Sequence, residues 1–307
     1  MKPLAVVGNV NVDLILGPAA PWPQPGTEVI VDHDDLRVGG AAGNTALAWI
    51  GLGTPFTIAA SVGDDQFGRW LADTFGDHAR DWPQHAGATT ISVGITHPDG
   101  ERTFFTTKGH LPHFGLSDMH AALDANAVSG GYLLLCGSFL THALTQDYAA
   151  LFAWAERHRI TLALDTGWPL DGWTEANRSA ARGWLGRCQL SLMNEIETMA
   201  LGGCPDPIDA ARALQAIMPD EAVIVVKRGA LGAVAIDGRG VVHSVTAPDV
   251  LVVDTIGAGD VFNAGFLAAL AQGHALSACL EAGVAIASRA VATFPRDYRP
   301  VSQGDAA

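Results

Sequence analysis

The sequence predicts an α/β fold, in which a doubly wound, mostly parallel sheet is flanked by helices on both faces. Short apolar runs that end at Gly, Asp or Pro recur along the chain and have the length of buried strands. Helical patterns lie between several of these runs, as in parallel strands joined by crossover helices. With 307 residues, of which 49% are hydrophobic, the chain can bury a large core, and we expect residues 1–307 to form one domain.

The strands and helices can be assigned in chain order. The apolar runs that predict strands are Leu4 to Val7, Tyr132 to Cys136, Thr161 to Leu164, Leu190 to Met193, Val223 to Val226 and Ala233 to Ile236. The helical patterns are Ala41 to Leu52, Thr145 to Arg157 and Ile208 to Met218. Their alternation is typical of a sheet whose strands run mostly parallel.

Two stretches interrupt this alternation, Leu14 to Val38 and Gly87 to His110. Each contains alternating polar and apolar residues with turn residues such as Pro98-Asp99-Gly100, which predicts a hairpin or strand pair. Because both stretches stand outside the strand-helix series, we expect residues 14–38 and 87–110 to form a small separate sheet that acts as a lid. Lids of this kind can also pair between subunits, so we expect a homodimer through this sheet.

Charge and cysteine content exclude several classes of function. The chain has 18 Lys and Arg against 32 Asp and Glu, a net charge of −14, and no basic cluster that would favour binding to nucleic acid. The four cysteines form no CxxC pair, which argues against a zinc site or a disulfide framework. No secretion signal or membrane-spanning run is evident, so we expect a cytoplasmic protein that acts on small molecules without a membrane or nucleic-acid partner.

The most informative motif is the string Asp254-Thr255-Ile256-Gly257-Ala258-Gly259-Asp260, which precedes the apolar helical pattern Val261 to Leu270. A glycine turn that opens a helix presents backbone N–H groups and the positive end of the helix dipole, which together form a site for a phosphate anion. The aspartate at the end of such a turn would lie beside the reacting phosphorus. A purely structural interpretation, in which Asp260 only caps the helix, is the alternative.

With the segment Gly39-Gly40-Ala41-Ala42-Gly43-Asn44, this string resembles the two signature regions of the ribokinase-like carbohydrate kinases, also called the PfkB family. The resemblance implies an ATP-dependent and Mg²⁺-dependent kinase that phosphorylates a hydroxyl of a small sugar or sugar-like acceptor. It implies that Gly257, Ala258 and Gly259 form the anion hole and that Asp260 is the catalytic base, which agrees with the need of a weakly nucleophilic hydroxyl for a proton acceptor.

The resemblance also identifies candidate acceptor-binding residues. Asp13 matches the substrate-binding aspartate of the similar kinases, and Asn44 matches their substrate-binding asparagine, with Gly39 and Gly40 in the same segment. Paired Asp and Asn side chains suit the hydroxyls of a polyol. Ala41 stands where many family members have a lysine, so the segment does not identify the acceptor.

Candidate nucleotide-binding residues follow two of the predicted strands, in addition to Gly257 and Gly259. Asn194 and Glu197 resemble the Asn-x-x-Glu element of the family, which implies that Glu197 supports Mg²⁺ through ordered water. Lys227, Gly229 and Gly232 resemble the family segment that lines the nucleotide. The structural alternatives are a solvated first-turn residue for Glu197 and a solvated surface residue for Lys227.

Further alternatives concern the cation and the reaction. Some similar kinases bind a monovalent cation near the anion hole, but the later segment Ser288 to Pro295 lacks the glycine expected there, which argues against activation by potassium. A nucleoside kinase of the adenosine type, a ketodeoxygluconate kinase and a sugar-binding regulatory protein remain as alternatives. A dinucleotide-dependent oxidoreductase is disfavoured because no Gly-x-Gly-x-x-Gly follows the first strand.

Overall fold

The computed structural model describes residues 1–98 and 101–299. In chain order the strands are β1 (Leu4–Val7), β2 (Asn11–Gly17), β3 (His33–Gly39), β4 (Thr57–Ala59), β5 (Val62–Gly63), β6 (Gln84–His85), β7 (Ile91–Thr96), β8 (Arg102–Thr106), β9 (Tyr132–Cys136), β10 (Thr161–Asp165), β11 (Leu190–Asn194), β12 (Val223–Lys227), β13 (Ala233–Ile236) and β14 (Val242–Val245). Eight of them form a large sheet in the order β14-β13-β12-β11-β10-β9-β1-β4. The six strands from β12 to β4 run parallel, and β13 and β14 are added antiparallel at one edge.

Helices cover both faces of this large sheet. They are α1 (Ala41–Gly51), α2 (Gln66–Phe75), α3 (Leu116–Ala122), α4 (Ala125–Val128), α5 (His142–Gln146), α6 (Tyr148–Arg157), α7 (Glu175–Leu185), α8 (Glu195–Gly202), α9 (Pro207–Gln215), α10 (Ala258–Ala271) and α11 (Leu276–Val291). In the part of the chain that the structure describes, no helix is long and apolar enough to cross a membrane.

The apolar strands of the large sheet are buried from both sides. Leu134 of β9 belongs to a core that includes Phe266 of α10, whereas its neighbours Leu133 and Leu135 belong to the opposite core with Leu151 of α6. Successive strand residues point to opposite faces, so a strand covered on both faces must be apolar throughout. The six predicted strands all lie in this sheet, and the predicted α/β architecture is confirmed.

One predicted helix has the wrong bounds. The stretch Thr145 to Arg157 does not form a single helix, because the helix is interrupted at Asp147, between α5 and α6. The Asp147 N–H donates to the Leu144 carbonyl at 3.0 Å, and the Asp147 carbonyl accepts from the Leu151 N–H at 3.0 Å. Asp147 therefore ends one helix and begins the next, in keeping with the preference of aspartate for helix ends.

Two edge strands were not predicted from the sequence. β4 has only three residues, and β14 alternates exposed and half-buried side chains at the edge of the sheet. Neither forms the continuous apolar run that identified the other strands.

A second sheet of four strands, in the order β3-β2-β7-β8, joins the two stretches that interrupted the alternation. β2 pairs with β3 antiparallel and with β7 parallel, so the predicted pairing of the two stretches is confirmed. The first strand begins at Asn11 rather than after Asp13, and Asp13 therefore lies within this small sheet, opposite Arg37. Of the predicted turn in the second stretch, Asp99 and Gly100 lie outside the described residues.

Candidate active site

A cavity of about 830 Å³ opens at the carboxyl ends of the parallel strands. Asp165, Asn194 and Lys227 are the last residues of β10, β11 and β12, and all three line the cavity. The N-terminus of α10 closes the same side. Parallel strands bring their carboxyl ends to one edge of a sheet, which is where ligands bind in open α/β folds.

The glycine turn before α10 forms part of the cavity wall. Gly257 is the N-cap of α10 with a φ of 74°, a left-handed conformation that glycine adopts without strain. A side chain at position 257 would also begin 2.7 Å from Nδ2 of Asn44. Gly257, Ala258, Gly259 and Asp260 all line the cavity, so the predicted anion-hole residues lie together at the positive end of a 14-residue helix.

Asp260 lies in the first turn of α10 and has a strongly perturbed carboxyl group. Its Oδ2 accepts a hydrogen bond from Nδ2 of Asn44 at 2.9 Å. Burial raises the pKa of Asp260 to about 6, with a further contribution from the Asp165 carboxylate, while Lys227 and the Asn44 hydrogen bond oppose the shift. A carboxylate with a pKa near the working pH is suited to accept a proton from a hydroxyl.

The other predicted acceptor residues lie around β2 and the start of α1. Asp13 is buried, and its Oδ1 accepts from Nδ2 of Asn11 at 2.8 Å. Burial raises the pKa of Asp13 to about 6, against the opposing charge of Arg37. A side chain at Gly39 would collide with the Asp13 carboxyl group, so glycine at this position permits the close approach.

Two asparagines near Asp13, Asn9 and Asn11, were not identified from the sequence. Asn9 Nδ2 donates to Asn11 Oδ1 at 3.2 Å, and Asn9 also lines the cavity. Asn9 Oδ1 accepts from the backbone N–H of Ala41, where Gly40, with a φ of 83°, turns the chain into α1. Asn9, Asn11 and Asp13 occupy every second position in the sequence. This alternation could have indicated that their side chains share one face.

Lys227 belongs to a buried polar network rather than to the surface. Its Nζ lies 2.6 Å from Oδ2 of Asp165 and donates to Oδ1 of Asn263 at 3.2 Å, and Asn263 Nδ2 donates to the same Asp165 oxygen at 2.6 Å. The Lys227 side chain is only 11% exposed, so its interpretation as a solvated residue is wrong. Burial alone would lower the pKa of Lys227, but the carboxylates of Asp165 and Glu197 outweigh burial and raise it.

Asn194 and Glu197 cap the N-terminus of α8 reciprocally. The Glu197 N–H donates to Oδ1 of Asn194 at 2.8 Å, and the Asn194 N–H donates to Oε2 of Glu197 at 3.0 Å. Glu197 is 5% exposed, so the alternative of a solvated helix residue is wrong for it as well. Burial and the Asp165 carboxylate raise the pKa of Glu197 to about 7, while Lys227 opposes this shift.

The predicted nucleotide segment also lines the cavity. Gly229 begins a short 3₁₀ turn and Gly232 follows it, with φ values of 55° and 88°, and both line the cavity. A side chain at Gly232 would collide with the Val245 carbonyl. Val284, Ala287 and Val291 of α11 add an apolar wall to the cavity.

Asp165, Asn263, Arg37 and Arg296 were not identified from the sequence. Asp165 directly follows a predicted strand and Asn263 lies three residues after Asp260, so strand ends and helix spacing could have pointed to them. No sequence signal pointed to Arg37 and Arg296, which both bind Asp254 at the start of the glycine turn.

Known proteins resemble this chain over most of its length. Residues 1–294 match the model of the pfkB family carbohydrate kinases. Probable fructokinase-7 of Arabidopsis thaliana is 28% identical over 253 residues, which cover 76% of this chain and 70% of that protein.

Solved structures share the fold at lower identity. Adenosine kinase from Sinorhizobium meliloti superimposes with a TM-score of 0.80 at 22% identity, over 98% of this chain and 96% of that chain. Arabidopsis thaliana ribokinase complexed with ribose and ATP superimposes with a TM-score of 0.78 at 21% identity, over 95% of this chain and 93% of that chain. The predicted ribokinase-like fold is therefore confirmed, and since the family model matches nearly the whole sequence, the chain belongs to the pfkB family of carbohydrate kinases.

Proposed function

We propose that this protein transfers the γ-phosphoryl group of ATP to a hydroxyl of a small sugar or sugar-like acceptor. The observation that carries the proposal is the Asp260 carboxyl group, whose pKa is raised to about 6 at the N-terminus of α10, beside the turn Gly257 to Gly259. The acceptor candidate Asn44 donates a hydrogen bond to Asp260, and the nucleotide candidates Asn194, Lys227, Gly229 and Gly232 line the same cavity as Asp260.

In the proposed reaction, Asp260 accepts the proton of the acceptor hydroxyl as the hydroxyl oxygen forms its bond to the γ-phosphorus. The bond from the γ-phosphorus to the bridging oxygen breaks, and ADP leaves with the electron pair. The backbone N–H groups of the turn and the helix dipole stabilise the negative charge on the transferring group. Asn44 donates to Oδ2 of Asp260 and would hold the carboxyl group in position for the proton transfer.

The nucleotide is proposed to bind between the Gly229 to Gly232 turn and the apolar wall of α11, with Lys227 near its phosphates. The relatives support ATP as the donor, because the similar Arabidopsis ribokinase has been obtained with ATP bound. When bound, Mg²⁺ would supply positive charge that offsets the negative charge of the phosphate oxygens. In the described part of the chain, no three or more His, Cys, Asp or Glu side chains cluster as metal ligands.

An ion that keeps most of its water ligands needs no such cluster, and the buried carboxylates at this end of the cavity fit indirect support of Mg²⁺. Glu197 would hold such an ion through water, oriented by its hydrogen bond from the Asn194 N–H. Removal of Mg²⁺ with EDTA is expected to abolish ADP formation.

The small sheet is proposed to act as a lid over the acceptor. Its strand β8 begins at Arg102, which lines the cavity, and its strand β2 carries Asp13. Leu36, Phe104 and Phe105 of this sheet are exposed by about half, which supports the proposal of a homodimer through it. The mass of the protein in solution tests the dimer, and a monomer at all concentrations would contradict it.

A coupled assay of ADP release tests the proposed function. The purified protein is supplied with Mg²⁺-ATP and with ketoses, aldoses, sugar acids or nucleosides, and the Asp260→Asn variant gives the background. The expected result is ADP release that depends on one acceptor class, with nucleosides and ketodeoxygluconate as the alternatives to simple sugars. Tight binding of a sugar without ADP release would instead indicate a sugar-binding regulatory protein.

A further inference from the structure

The guanidinium group of Arg296 contacts the glycine turn that precedes α10. Arg296 Nη2 donates to Oδ2 of Asp254 at 2.8 Å and also donates to the backbone carbonyl of Ile256. Its Nη1 lies 3.2 Å from the position that a Cβ atom would occupy at Gly257. The Arg296 side chain is 9% exposed, so this cation is held within the protein.

Arg296 binds one of the turn carbonyls that the resemblance implied for a monovalent cation, together with the neighbouring Asp254 carboxylate. The resemblance to the family implied a cation bound by carbonyls of the Asp254 to Gly257 turn and of the segment Ser288 to Pro295. In this chain, the Asp254 carboxylate and the Ile256 carbonyl are both bound by the guanidinium of Arg296, which directly follows that later segment. These residues therefore do not fit a monovalent cation at this position.

We propose that Arg296 is a positioning residue that serves as a fixed internal cation behind the anion hole and makes activity independent of monovalent cations. The proposal rests on the proposed kinase function. It assigns to Arg296 no contact with either substrate. Arg296 acts through the turn, by holding the Ile256 carbonyl and the Asp254 side chain in the arrangement that lets Gly257 open α10.

Electrostatics explains why a cation is needed here. The Asp254 carboxylate lies three residues before Gly257, and an unpaired carboxylate behind an anion hole would repel the phosphate that the hole must bind. Although burial would raise the pKa of Asp254, the Ile256 N–H, Arg296 and Arg37 outweigh burial and lower it, so this carboxyl group is charged. Arg296 neutralises that charge, and it also opposes the rise in the pKa of Asp260.

The shape of the guanidinium explains why the residue is an arginine. Its planar arrangement of N–H groups can bind a carboxylate and a carbonyl at the same time, whereas a lysine ammonium acts as a point charge on a flexible stem. The Asp254 carboxylate is further fixed by the Ile256 N–H, which donates to its Oδ1 at 2.8 Å. The side chain and backbone of the turn are thus tied to one group.

Arg37 provides a matched control, because it binds the same carboxylate without a hydrogen bond to the turn. Its Nη1 lies 2.5 Å from Oδ2 of Asp254 and 3.1 Å from Oδ2 of Asp35. Replacing Arg37 therefore removes an equal charge from Asp254 but leaves the Arg296 contact with the Ile256 carbonyl in place.

The test uses the full chain and measures kcat and KM for ATP in Na⁺, K⁺ and choline buffers. The wild type is expected to show equal activity in all three. Arg296→Ala is expected to lose about 100-fold in kcat/KM for ATP, and guanidinium ion at tens of millimolar should restore about tenfold. With the acceptor saturating, Arg37→Gln is expected to lose no more than about threefold in kcat/KM for ATP. Any effect through Asp13, whose pKa Arg37 also influences, would appear in the KM for the acceptor. ADP binding by calorimetry, which needs no turnover, should weaken in parallel for Arg296→Ala alone.

Several outcomes would overturn the proposal while leaving the kinase function intact. One is a wild type whose activity requires K⁺, and another is an Arg296→Ala variant within about threefold of wild type. A folded Arg296→Ala variant that guanidinium does not restore would indicate a merely structural role. If Arg296→Ala does not fold, Arg296→Lys decides, with partial activity expected and activity at the Asp260→Asn background overturning the proposal. A wild type inactive with every acceptor would contradict the proposed function itself.

Discussion

Two regions of the site differ in their charged groups. At the carboxyl ends of β10 to β12, the ammonium group of Lys227 lies near several carboxylates. Between the small sheet and the glycine turn, the guanidinium groups of Arg37 and Arg296 both bind one carboxylate, that of Asp254. Lys227 contacts Asp165 at 2.6 Å, and the carboxylates of Glu197 and Asp260 also act on it. Arg37 and Arg296 share Asp254, and Arg37 also binds Asp35. The two regions therefore balance negative charge to different degrees.

The pKa shifts reflect this difference. Asp260 and Glu197, near the single lysine, have pKa values raised to about 6 and about 7, because burial and the neighbouring Asp165 carboxylate outweigh the ammonium. The pKa of Asp254, between the two arginines, is lowered despite its burial. The lysine region thus keeps carboxyl groups that can take up a proton, whereas Asp254, between the two arginines, stays charged. Asp13 in the small sheet differs from Asp254, because its deeper burial outweighs Arg37 and raises its pKa to about 6. The proposed function requires a proton acceptor in the first region and a rigid turn in the second.

The largest expected effect is that of Asp260→Asn. Since asparagine cannot accept the hydroxyl proton, kcat should fall by about 10² to 10⁴, while the affinity for ATP should stay within a few-fold because the backbone N–H groups of the turn remain. Steady-state kinetics and nucleotide titration measure the two quantities. In the wild type, kcat/KM should fall about tenfold per pH unit below about pH 6, where Asp260 becomes protonated.

The control for Asp260→Asn is its melting temperature. The N-cap of α10 is Gly257 and not Asp260, so the interpretation of Asp260 as a simple helix cap is wrong. An aspartate with only a structural role in the first turn would still be replaced by asparagine with little loss of activity. A folded Asp260→Asn variant with unchanged kcat would contradict the assignment of the base. If Asp260 is the base, the residual kcat/KM of Asp260→Asn should not fall below about pH 6 as that of the wild type does.

Lys227→Met is expected to have the next largest effect. It would leave Asp165, Glu197 and Asp260 without their shared cation, and removing one partner of a buried ion pair costs about 3–5 kcal/mol of stability. The KM for ATP should also rise by about tenfold or more. Urea unfolding measures the stability, and the double variant Lys227→Met/Asp165→Asn should recover part of the loss, because it removes a carboxylate that the methionine leaves unpaired. An additive double variant would show that the two side chains are not coupled.

Asp13→Asn tests the small-sheet region through pH. The pKa of Asp13 is raised from 3.8 to about 6 in the folded protein, so the folded state binds the proton more tightly than the unfolded state between these values. The Asp13 contribution to the free energy of unfolding is therefore present below about pH 4 and is lost as pH rises to about 6. By this linkage, the loss is on the order of 3 kcal/mol.

The measurement compares the pH dependence of unfolding in the wild type and Asp13→Asn. Comparison with the variant is needed because His110, whose pKa is lowered to about 4, favours stability at the higher end of the same range. Relative to the variant, the wild type should lose stability as pH rises from 4 to 6. Parallel curves would show that Asp13 has an unperturbed pKa.

The smallest expected effect is that of Arg37→Gln. Arg296 still neutralises Asp254 in this variant, so the free energy of unfolding should fall by only about 1 kcal/mol. Chemical unfolding of Arg37→Gln and Lys227→Met under the same conditions compares their losses in the free energy of unfolding. Equal losses in Arg37→Gln and Lys227→Met would mean that the two regions do not differ in their charge balance.

Much of the fold and part of the site could be predicted from the sequence. The six strands were found because parallel strands buried on both faces require continuous apolar runs, and the positions of Asp260 and Gly257 followed from the glycine string and the helix after it. The break at Asp147 and the short edge strands were missed, because neither changes the hydrophobic pattern enough to be seen.

The sequence by itself therefore determined the α/β class, the resemblance to the family and the turn that opens α10. The class depends on local periodicity, and the resemblance and the turn depend on motifs of residues close together in the chain. The partners of the charged groups were decided only by the tertiary structure. Arg37 meets Asp254 across 217 positions, and Lys227 meets Asp165 across 62. Such ion pairs depend on which strand ends and loops the packed sheets bring within 4 Å, and no spacing along the chain encodes that distance.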